Sequence, residues 1–155
     1  MRENFAVYDF PCGRLKITYS DGAITRLEKT DLLSPGVPSE ISEEACRQLR
    51  EYFAGQRFAF DLPVKARGTP FQEKVWSELC RIPYGETRSY KEIAIKIGDE
   101  KACRAVGMAN NRNPISIIIP CHRVIGATGA LVGYGGGLEM KKLLLALERT
   151  NKPSV

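Results

Sequence analysis

Residues 89–110 read SYKEIAIKIGDEKACRAVGMAN, and this stretch decides the fold of the C-terminal half of the chain. Ser89 and Glu92 form a capping box, the pattern in which two side chains satisfy the first backbone amides of a helix. The pattern predicts a helix of about eight residues that ends at Gly98-Asp99. A second helix is predicted from Lys101 to Asn110, so the stretch indicates a helix-turn-helix.

The second of these helices carries Arg104 among small residues, which are Ala102, Ala105, Gly107 and Ala109. Small side chains let a helix lie very close to another surface. That surface is either DNA, as in many helix-turn-helix proteins, or the protein's own core. The spacing alone leaves both interpretations open.

The segments on either side of the helix-turn-helix also contain capping and apolar patterns that predict their secondary structure. Thr69-Pro70-Phe71-Gln72 is another capping box, and it predicts a helix that ends at Pro83-Tyr84-Gly85. The apolar stripe of that helix is Phe71, Val75, Leu79 and Ile82. Downstream, Asn111–Pro114 is predicted to be a turn, Ile115–Ile119 a buried strand and Leu138–Arg149 a closing helix.

The N-terminal third is predicted to be a small antiparallel sheet with one helix. Phe5–Phe10 and Leu15–Tyr19 have the alternating character of strands, and Asp21-Gly22 is a hairpin turn into Ala23–Glu28. Ser42 is predicted to cap the helix that follows. The apolar face of that helix is Cys46, Leu49 and Phe53.

The length of 155 residues is enough for one ordinary domain or two small ones. Pro63 and Gly68 interrupt the pattern, which favours a boundary near residues 62–68. We therefore expect an α/β (α+β) protein with an N-terminal domain over residues 1–66 and a C-terminal domain over residues 67–155.

The composition excludes several classes of protein. Hydrophobic residues make up 43% and charged residues 26%, so a packed core can form and disorder is excluded as the main state. No apolar run approaches the roughly 18 residues of a membrane span. The first residues lack the apolar region of a signal peptide, so we expect a cytoplasmic protein. The net charge of +5 is compatible with a polyanionic partner.

The five cysteines argue against a disulfide framework, because their number is odd and no Cys-x-x-Cys pair occurs. They are Cys12, Cys46, Cys80, Cys103 and Cys121. A structural zinc site needs clustered Cys and His ligands, whereas these cysteines are dispersed and the chain has one His. We therefore expect no metal.

Pro120-Cys121-His122-Arg123 is the motif with the most specific chemistry, because the only histidine directly follows a cysteine. A reactive cysteine needs its thiolate form, and a nearby His or Arg lowers the pKa of the thiol. Neighbouring side chains on an extended strand point to opposite sides. A water bridge from Cys121 to His122 is therefore expected rather than a direct hydrogen bond. By itself, the pair is also compatible with a buried, inert cysteine.

The sequence around this motif is more specific than the motif alone. It comprises Asn113-Pro114, Pro120–Ile125, Gly129 and Gly133–Leu138, with Ser89–Ala94 and Arg104–Gly107 upstream and Lys141 and Glu148 downstream. Together these residues resemble the O6-alkylguanine-DNA alkyltransferases, and the resemblance covers about residues 69–150. It implies a ribonuclease H-like N-terminal domain and a winged-helix-like C-terminal domain.

The resemblance implies direct-reversal DNA repair without a cofactor. An alkyl group would pass from O6 of guanine in DNA to Cys121, once per molecule, and O4 of thymine is left open as a second substrate. His122 would take the thiol proton through a water, and Glu148 would orient His122. Tyr90 would donate a proton to the leaving guanine, and Asn113 would brace the turn before the reactive segment.

The resemblance also implies a monomer that binds double-stranded DNA containing O6-alkylguanine in the minor groove and flips the damaged nucleotide out. Arg104 would fill the space that the nucleotide leaves. The residues expected to contact DNA are Ser89, Arg104, Ala105, Gly107 and Arg123. Those expected to line the alkyl pocket are Pro120, Val124, Tyr134, Gly135 and Gly136.

Three alternatives belong to other classes. A damage-sensing protein would bind alkylated DNA without removing the group, but relatives of that kind lack the cysteine that this chain has at position 121. A Cys-His hydrolase would need a His elsewhere in the fold and an oxyanion hole. A transcription regulator would need a dimer interface, and no additional amphipathic helix is evident.

Overall fold

The computed structural model describes residues 3–131, 134 and 137–153. The backbone divides into two compact units, Met1–Arg67 and Gly68–Val155, and each has its own core. Among the described residues, no helix is both long enough and apolar enough to cross a membrane.

The first unit is built on a three-stranded antiparallel sheet in the order β1-β2-β3. The strands are β1 (Asn4–Phe10), β2 (Gly13–Ser20) and β3 (Ala23–Lys29). The predicted hairpin turn is confirmed, because Asp21 and Gly22 both have positive φ, 52° and 74°. This conformation matches the twist of the two strands it joins. The predicted inner face of β2 is also confirmed: Leu15, Ile17 and Tyr19 are buried.

Helix α1 (Glu40–Phe53) begins earlier than the sequence predicted. Ser39, not Ser42, is the N-cap, and its hydroxyl accepts a hydrogen bond from the backbone N–H of Ser42. The Ser42 hydroxyl accepts in return from the Ser39 N–H, at 2.8 Å. The prediction was wrong because the usual pattern has Glu or Gln at the third helical position, whereas here a second serine completes the box.

The second unit contains four helices, a 3₁₀ turn and two short strands within its described residues. They are α2 (Pro70–Leu79), β4 (Arg88–Ser89), α3 (Tyr90–Lys96), α4 (Cys103–Asn111), the 3₁₀ turn Cys121–Arg123, β5 (Val124–Ile125) and α5 (Leu138–Asn151). Both predicted capping boxes are confirmed, with Thr69 at the start of α2 and Ser89 at the start of α3.

Strands β4 and β5 pair in parallel, and this pairing brings distant parts of the chain together. Arg88 lies opposite Val124, and Ser89 lies opposite Ile125. Because the strands are parallel, the turn before β4 lies at the same end of the pair as the 3₁₀ turn before β5.

The predicted strand at Ile115–Ile119 is wrong. The segment is a series of tight turns, in which the Ile119 N–H donates to the Ile115 carbonyl at 3.0 Å and Ile117 has a φ of 72°. Its isoleucines at 115, 117 and 119 are buried, which explains their apolar character. A short apolar run predicts that a segment is buried, but it does not show whether the segment is a strand or a series of turns. Here the Asn113 side chain holds the backbone, since its Oδ1 accepts a hydrogen bond from the Ile115 N–H.

The revised start of α1 gives a prediction. Ser39→Ala is expected to lower the free energy of unfolding by about 1 kcal/mol, and Ser39→Asp to lower it much less, because Asp caps as well as Ser. Ser42→Asp is expected to be strongly destabilising, because Ser42 is fully buried and an unpaired carboxylate there is costly. Urea unfolding followed by circular dichroism measures all three. If Ser42→Asp is tolerated and Ser39→Asp is not, the helix begins at Ser42.

Candidate active site

Cys121 lies in a turn rather than on an extended strand. Residues Cys121–Arg123 form the 3₁₀ turn, and the Cys121 N–H donates to the carbonyl of Ile119 at 2.8 Å. Only 3% of Cys121 is exposed. The expectation that Cys121 and His122 point to opposite sides of a strand therefore does not apply, since the chain turns between them. We call the segment Ile119–Arg123 the reactive turn.

The Asn113 side chain fixes the backbone that enters the reactive turn. Its Nδ2 donates to the carbonyl of Ile119 at 2.8 Å, while its Oδ1 accepts from the N–H of Ile115 at 3.0 Å. A hydrogen bond from Asn113 also favours the charged form of the Cys121 thiol. Asn113 therefore contacts both the backbone and the sulfur of the segment.

His122 is held by a carboxylate on the last helix. Its Nε2 lies 2.7 Å from Oε2 of Glu148, and both side chains are almost completely buried. Burial lowers the pKa of His122, so the ring is neutral near pH 7. A neutral ring beside a carboxylate carries its proton on Nε2. Nδ1 is then an acceptor, and no described residue donates a hydrogen bond to it.

The Arg123 guanidinium belongs to the same buried network. Its Nε and one terminal nitrogen donate to the two Glu148 oxygens at 2.8 and 3.0 Å, and its other terminal nitrogen donates to the Ile82 carbonyl at 2.7 Å. Its side chain is 9% exposed. The expectation that Arg123 contacts DNA is therefore not supported, because its donors are bonded inside the protein.

Glu148 remains ionised despite its burial. Burial by itself raises the pKa of a carboxyl group, but the hydrogen bonds from His122 and Arg123 and the charge of Arg123 outweigh that effect and hold the pKa well below its usual range. The N–H of Gly85 also donates to Glu148 Oε1, at 3.2 Å. One carboxylate thus joins α5, the reactive turn and the turn after α2.

The thiol of Cys121 is neutral in the resting protein. Burial raises its pKa to about 11, and the Asn113 hydrogen bond, the charge of Lys141 and the Tyr134 hydroxyl oppose this only in part. The sequence predicted a lowered pKa from the adjacent His and Arg. The prediction was wrong because His122 is neutral and the charge of Arg123 is paired with Glu148.

Tyr90 faces the same site from the first turn of α3. Burial raises the pKa of its phenol, and the nearby Cys121 raises it further, so it keeps its proton. A Cβ atom at Gly107 of α4 would lie 3.8 Å from the Tyr90 ring, which is ordinary contact distance. The Ser89 hydroxyl accepts from the N–H of Glu92 as the cap of α3.

Helix α4 has one packed face and one exposed face. Val106 and Ala109 are buried, and the indole N–H of Trp76 donates to the Ala109 carbonyl at 2.8 Å. Arg104 and Ala105 are exposed, and so is Met108. The core interpretation therefore holds for one face of α4, and the other face is exposed.

The expected pocket residues fall into two groups. Pro120 and Val124 are buried, and Tyr134 is 9% exposed, with its hydroxyl close enough to Cys121 to affect the thiol pKa. Gly135 and Gly136 lie outside the described residues. Among the residues that are described, no group of three or more His, Cys, Asp or Glu side chains is placed to hold a metal ion.

Two further buried residues donate hydrogen bonds to the backbone of Cys121 and Val124, and neither was given a role in the site from the sequence. Lys141 is fully buried, and its ammonium donates to the Val124 carbonyl at 2.6 Å. Asn110 is also buried, and its Nδ2 donates to the Cys121 carbonyl at 3.3 Å. The spacing of Lys141, Leu144 and Glu148 on α5 would have shown that Lys141 lies on the buried stripe.

Both units match models of one protein family. The DNA-binding domain of 6-O-methylguanine DNA methyltransferase matches residues 70–150, which is more than half of the chain, and the ribonuclease-like domain of the same family matches residues 4–66. The chain belongs to the 6-O-methylguanine DNA methyltransferase family. The resemblance noted in the sequence is therefore confirmed.

Individual members of the family are similar over most of their length. A methylated-DNA–protein-cysteine methyltransferase of Mycolicibacterium paratuberculosis is 47% identical over 156 residues, covering 97% of this chain and 94% of that protein. One from Methanosarcina barkeri is 62% identical over 108 residues, covering 70% of this chain and 68% of that protein.

Solved structures of the family have the same fold. The crystal structure of the Mycobacterium tuberculosis O6-methylguanine methyltransferase gives a TM-score of 0.90 at 45% identity, over 99% of this chain and 97% of that one. The M. tuberculosis protein in complex with DNA gives 0.88 at 46% identity, over 97% and 95%. The predicted fold class is confirmed.

The buried carboxylate gives a prediction about stability. Glu148→Gln is expected to lower the free energy of unfolding at pH 7 by about 3–5 kcal/mol, because it leaves the Arg123 charge buried without a partner. The folded-state pKa of Glu148 is depressed, so its stabilisation is present above the ordinary Glu pKa of 4.5 and is lost as the pH falls further. The difference between the two proteins should therefore shrink below pH 4.5.

Urea unfolding followed by the fluorescence of Trp76 measures this difference, since the chain has one tryptophan and it lies in the second unit. Glu139→Gln is the matched control on the same helix, where the carboxylate is 92% exposed. It should change little at any pH. Equal stability of Glu148→Gln and the natural protein at pH 7 would contradict the assigned network.

Proposed function

We propose that this protein repairs DNA by transferring an alkyl group, such as methyl, from O6 of guanine to the sulfur of Cys121. The observation that carries the proposal is the buried Cys121 thiol in a turn with a neutral His122 that Glu148 orients. An acceptor of this kind is used once, because a thioether is stable.

The transfer step balances without a cofactor. The Cys121 proton leaves through an intervening water to Nδ1 of His122, and the imidazolium that forms is stabilised by Glu148. The sulfur attacks the alkyl carbon as its proton leaves, so that a C–S bond forms as the C–O6 bond breaks. The raised thiol pKa of about 11 supports a mechanism in which the base acts during the reaction, because little thiolate exists beforehand.

The departing guanine is the second place where protein groups act. The bonding electrons return to the guanine, which would leave as an anion. Tyr90 donates its phenolic proton to the guanine as the C–O6 bond breaks, and this lowers the barrier. The phenol is protonated when substrate binds, because burial raises its pKa above the ordinary value of 10.

DNA is bound by the helix-turn-helix in the minor groove. The alkylated atom lies inside the duplex, so the nucleotide must be flipped out of the stack. Arg104, on the exposed face of α4, fills the gap, while Ala105 and Gly107 let the helix lie close to the DNA. Ser89 contacts the backbone from the start of α3. We assign Arg123 to the internal network.

The proposal also covers the remaining site residues, the two domains, the oligomeric state and the location of the protein. Asn113 braces the reactive turn, and Pro120, Val124 and Tyr134 line the alkyl pocket. Residues 67–155 carry DNA binding and transfer, and residues 1–66 form the ribonuclease H-like domain. The protein acts as a monomer in the cytoplasm.

The central test is mass spectrometry after the protein is mixed with a duplex containing O6-methylguanine. One methyl group should appear on the Cys121 peptide, equal to the amount of protein and never exceeding it. Cys121→Ala should still bind the duplex and gain nothing, because it keeps the DNA surface and lacks the acceptor.

The other four cysteines are internal controls and should remain unmodified. Binding that depends on the lesion without any gain in mass would mean that the protein senses damage without repairing it. Clearance of the lesion by Cys121→Ala would also overturn the proposal.

Arg104→Ala tests the flipping step. We expect transfer from a fully paired duplex to slow by about tenfold or more, because a few kcal/mol of unstacking is no longer offset by the inserted side chain. Transfer from single-stranded DNA, where no partner base must be replaced, should slow much less. Single-turnover rates with protein in excess measure both.

Arg112→Ala is the matched control, since Arg112 is an exposed arginine just after α4. It should weaken DNA binding in a salt-dependent way. It should change the rate of transfer from duplex DNA and the rate of transfer from single-stranded DNA by the same factor. If Arg104→Ala behaves like Arg112→Ala, Arg104 contributes only charge.

A further inference from the structure

The roles proposed so far do not account for Asn110. It lies near the end of α4 with 1% of its surface exposed, and its Nδ2 donates to the Cys121 carbonyl at 3.3 Å. Its Oδ1 is buried, and no described residue donates a hydrogen bond to it. A buried acceptor without a donor costs stability, so such a group calls for an explanation.

The contacts of Asn110 complement those of Asn113. Asn113 donates to the carbonyl of Ile119, and Asn110 donates to the carbonyl of Cys121. The Cys121 N–H itself donates to Ile119. Two amide side chains near the end of α4 therefore hold the carbonyl of Ile119, two residues before Cys121, and the carbonyl of Cys121 itself.

Helix α4 connects these hydrogen bonds to the exposed face on which Arg104 and Met108 lie. A helix is a rigid element, so any movement of its outer face is transmitted to Asn110 on its inner face. We propose that Asn110 is a positioning residue, and that its hydrogen bond to Cys121 lets the DNA-facing helix set the location of the sulfur. The inference rests on the proposed transfer to Cys121.

The alternative is a purely structural role for Asn110, and the chemistry of the site argues against it. Leucine has the same number and branching of side-chain heavy atoms and would leave no buried polar atom at this position. If packing alone mattered, an apolar residue would serve better. Asparagine gives up stability here for one directed hydrogen bond, to the carbonyl of the proposed acceptor residue.

Asn110→Leu separates the two roles. The free energy of unfolding should be unchanged or higher, and the affinity for the methylated duplex should be unchanged. The single-turnover transfer rate at saturating protein should fall about five- to tenfold, which corresponds to one lost hydrogen bond. Asn151→Leu is the matched control, because Asn151 also donates to a carbonyl, that of Leu147 at 2.8 Å, away from the reactive turn. It should transfer at the natural rate.

A natural transfer rate in folded, DNA-binding Asn110→Leu would overturn the inference. Should that variant fail to fold, Asn110→Ser replaces it, since Ser is polar but too short to reach the Cys121 carbonyl. The same fall in rate is expected, and the natural rate would again count against the assignment.

A second measurement separates this inference from the proposed function. Without DNA, iodoacetamide should alkylate Cys121 faster in Asn110→Leu than in the natural protein, because a loosened turn exposes the sulfur. If the natural protein transfers no methyl group, the proposed function fails, while faster alkylation in the variant still shows that Asn110 positions the thiol. Equal alkylation and equal transfer in the two proteins would remove any role for Asn110.

Discussion

The carboxylate of Glu148 is the interaction on which the C-terminal unit depends. It accepts hydrogen bonds from His122, from two nitrogens of Arg123 and from the N–H of Gly85. An ionised group with so little access to water is stable only when its partners are charged or well aligned. Because those partners lie on the reactive turn and on the turn after α2, the same bonds that stabilise the unit also select the His122 tautomer.

Helix α4 shows how one short element can serve both binding and chemistry. Its outer side is exposed, while its inner side carries Asn110. Asn113 lies two residues after the helix ends, and both side chains are bonded to backbone around Cys121. In the proposed function, the DNA-binding face and the acceptor Cys121 therefore lie on opposite sides of this helix. The proposal accounts for the small residues and the one arginine that occur together on α4.

Local patterns predicted most elements of the fold. The capping boxes at Thr69 and Ser89 and the Asp21-Gly22 turn each depend on residues within four positions, so sequence shows them directly. The errors arose where side-chain contacts and burial decide. The Asn113 side chain bonds to the backbone at both ends of Ile115–Ile119, and the thiol pKa of Cys121 depends on burial and on Lys141, 20 positions later. The roles of the site residues remain predictions, and they come from the family pattern.

Ile117 has a consequence for how the thiol is studied. A β-branched residue with a φ of 72° is rare, and such a conformation costs roughly 1–3 kcal/mol, which neighbouring contacts must offset. The segment next to Cys121 is thus expected to open more easily than the core around it. A reagent that labels this buried sulfur would reach it through such openings. Its labelling rate would then measure local unfolding of the reactive turn as much as the nucleophilicity of the cysteine.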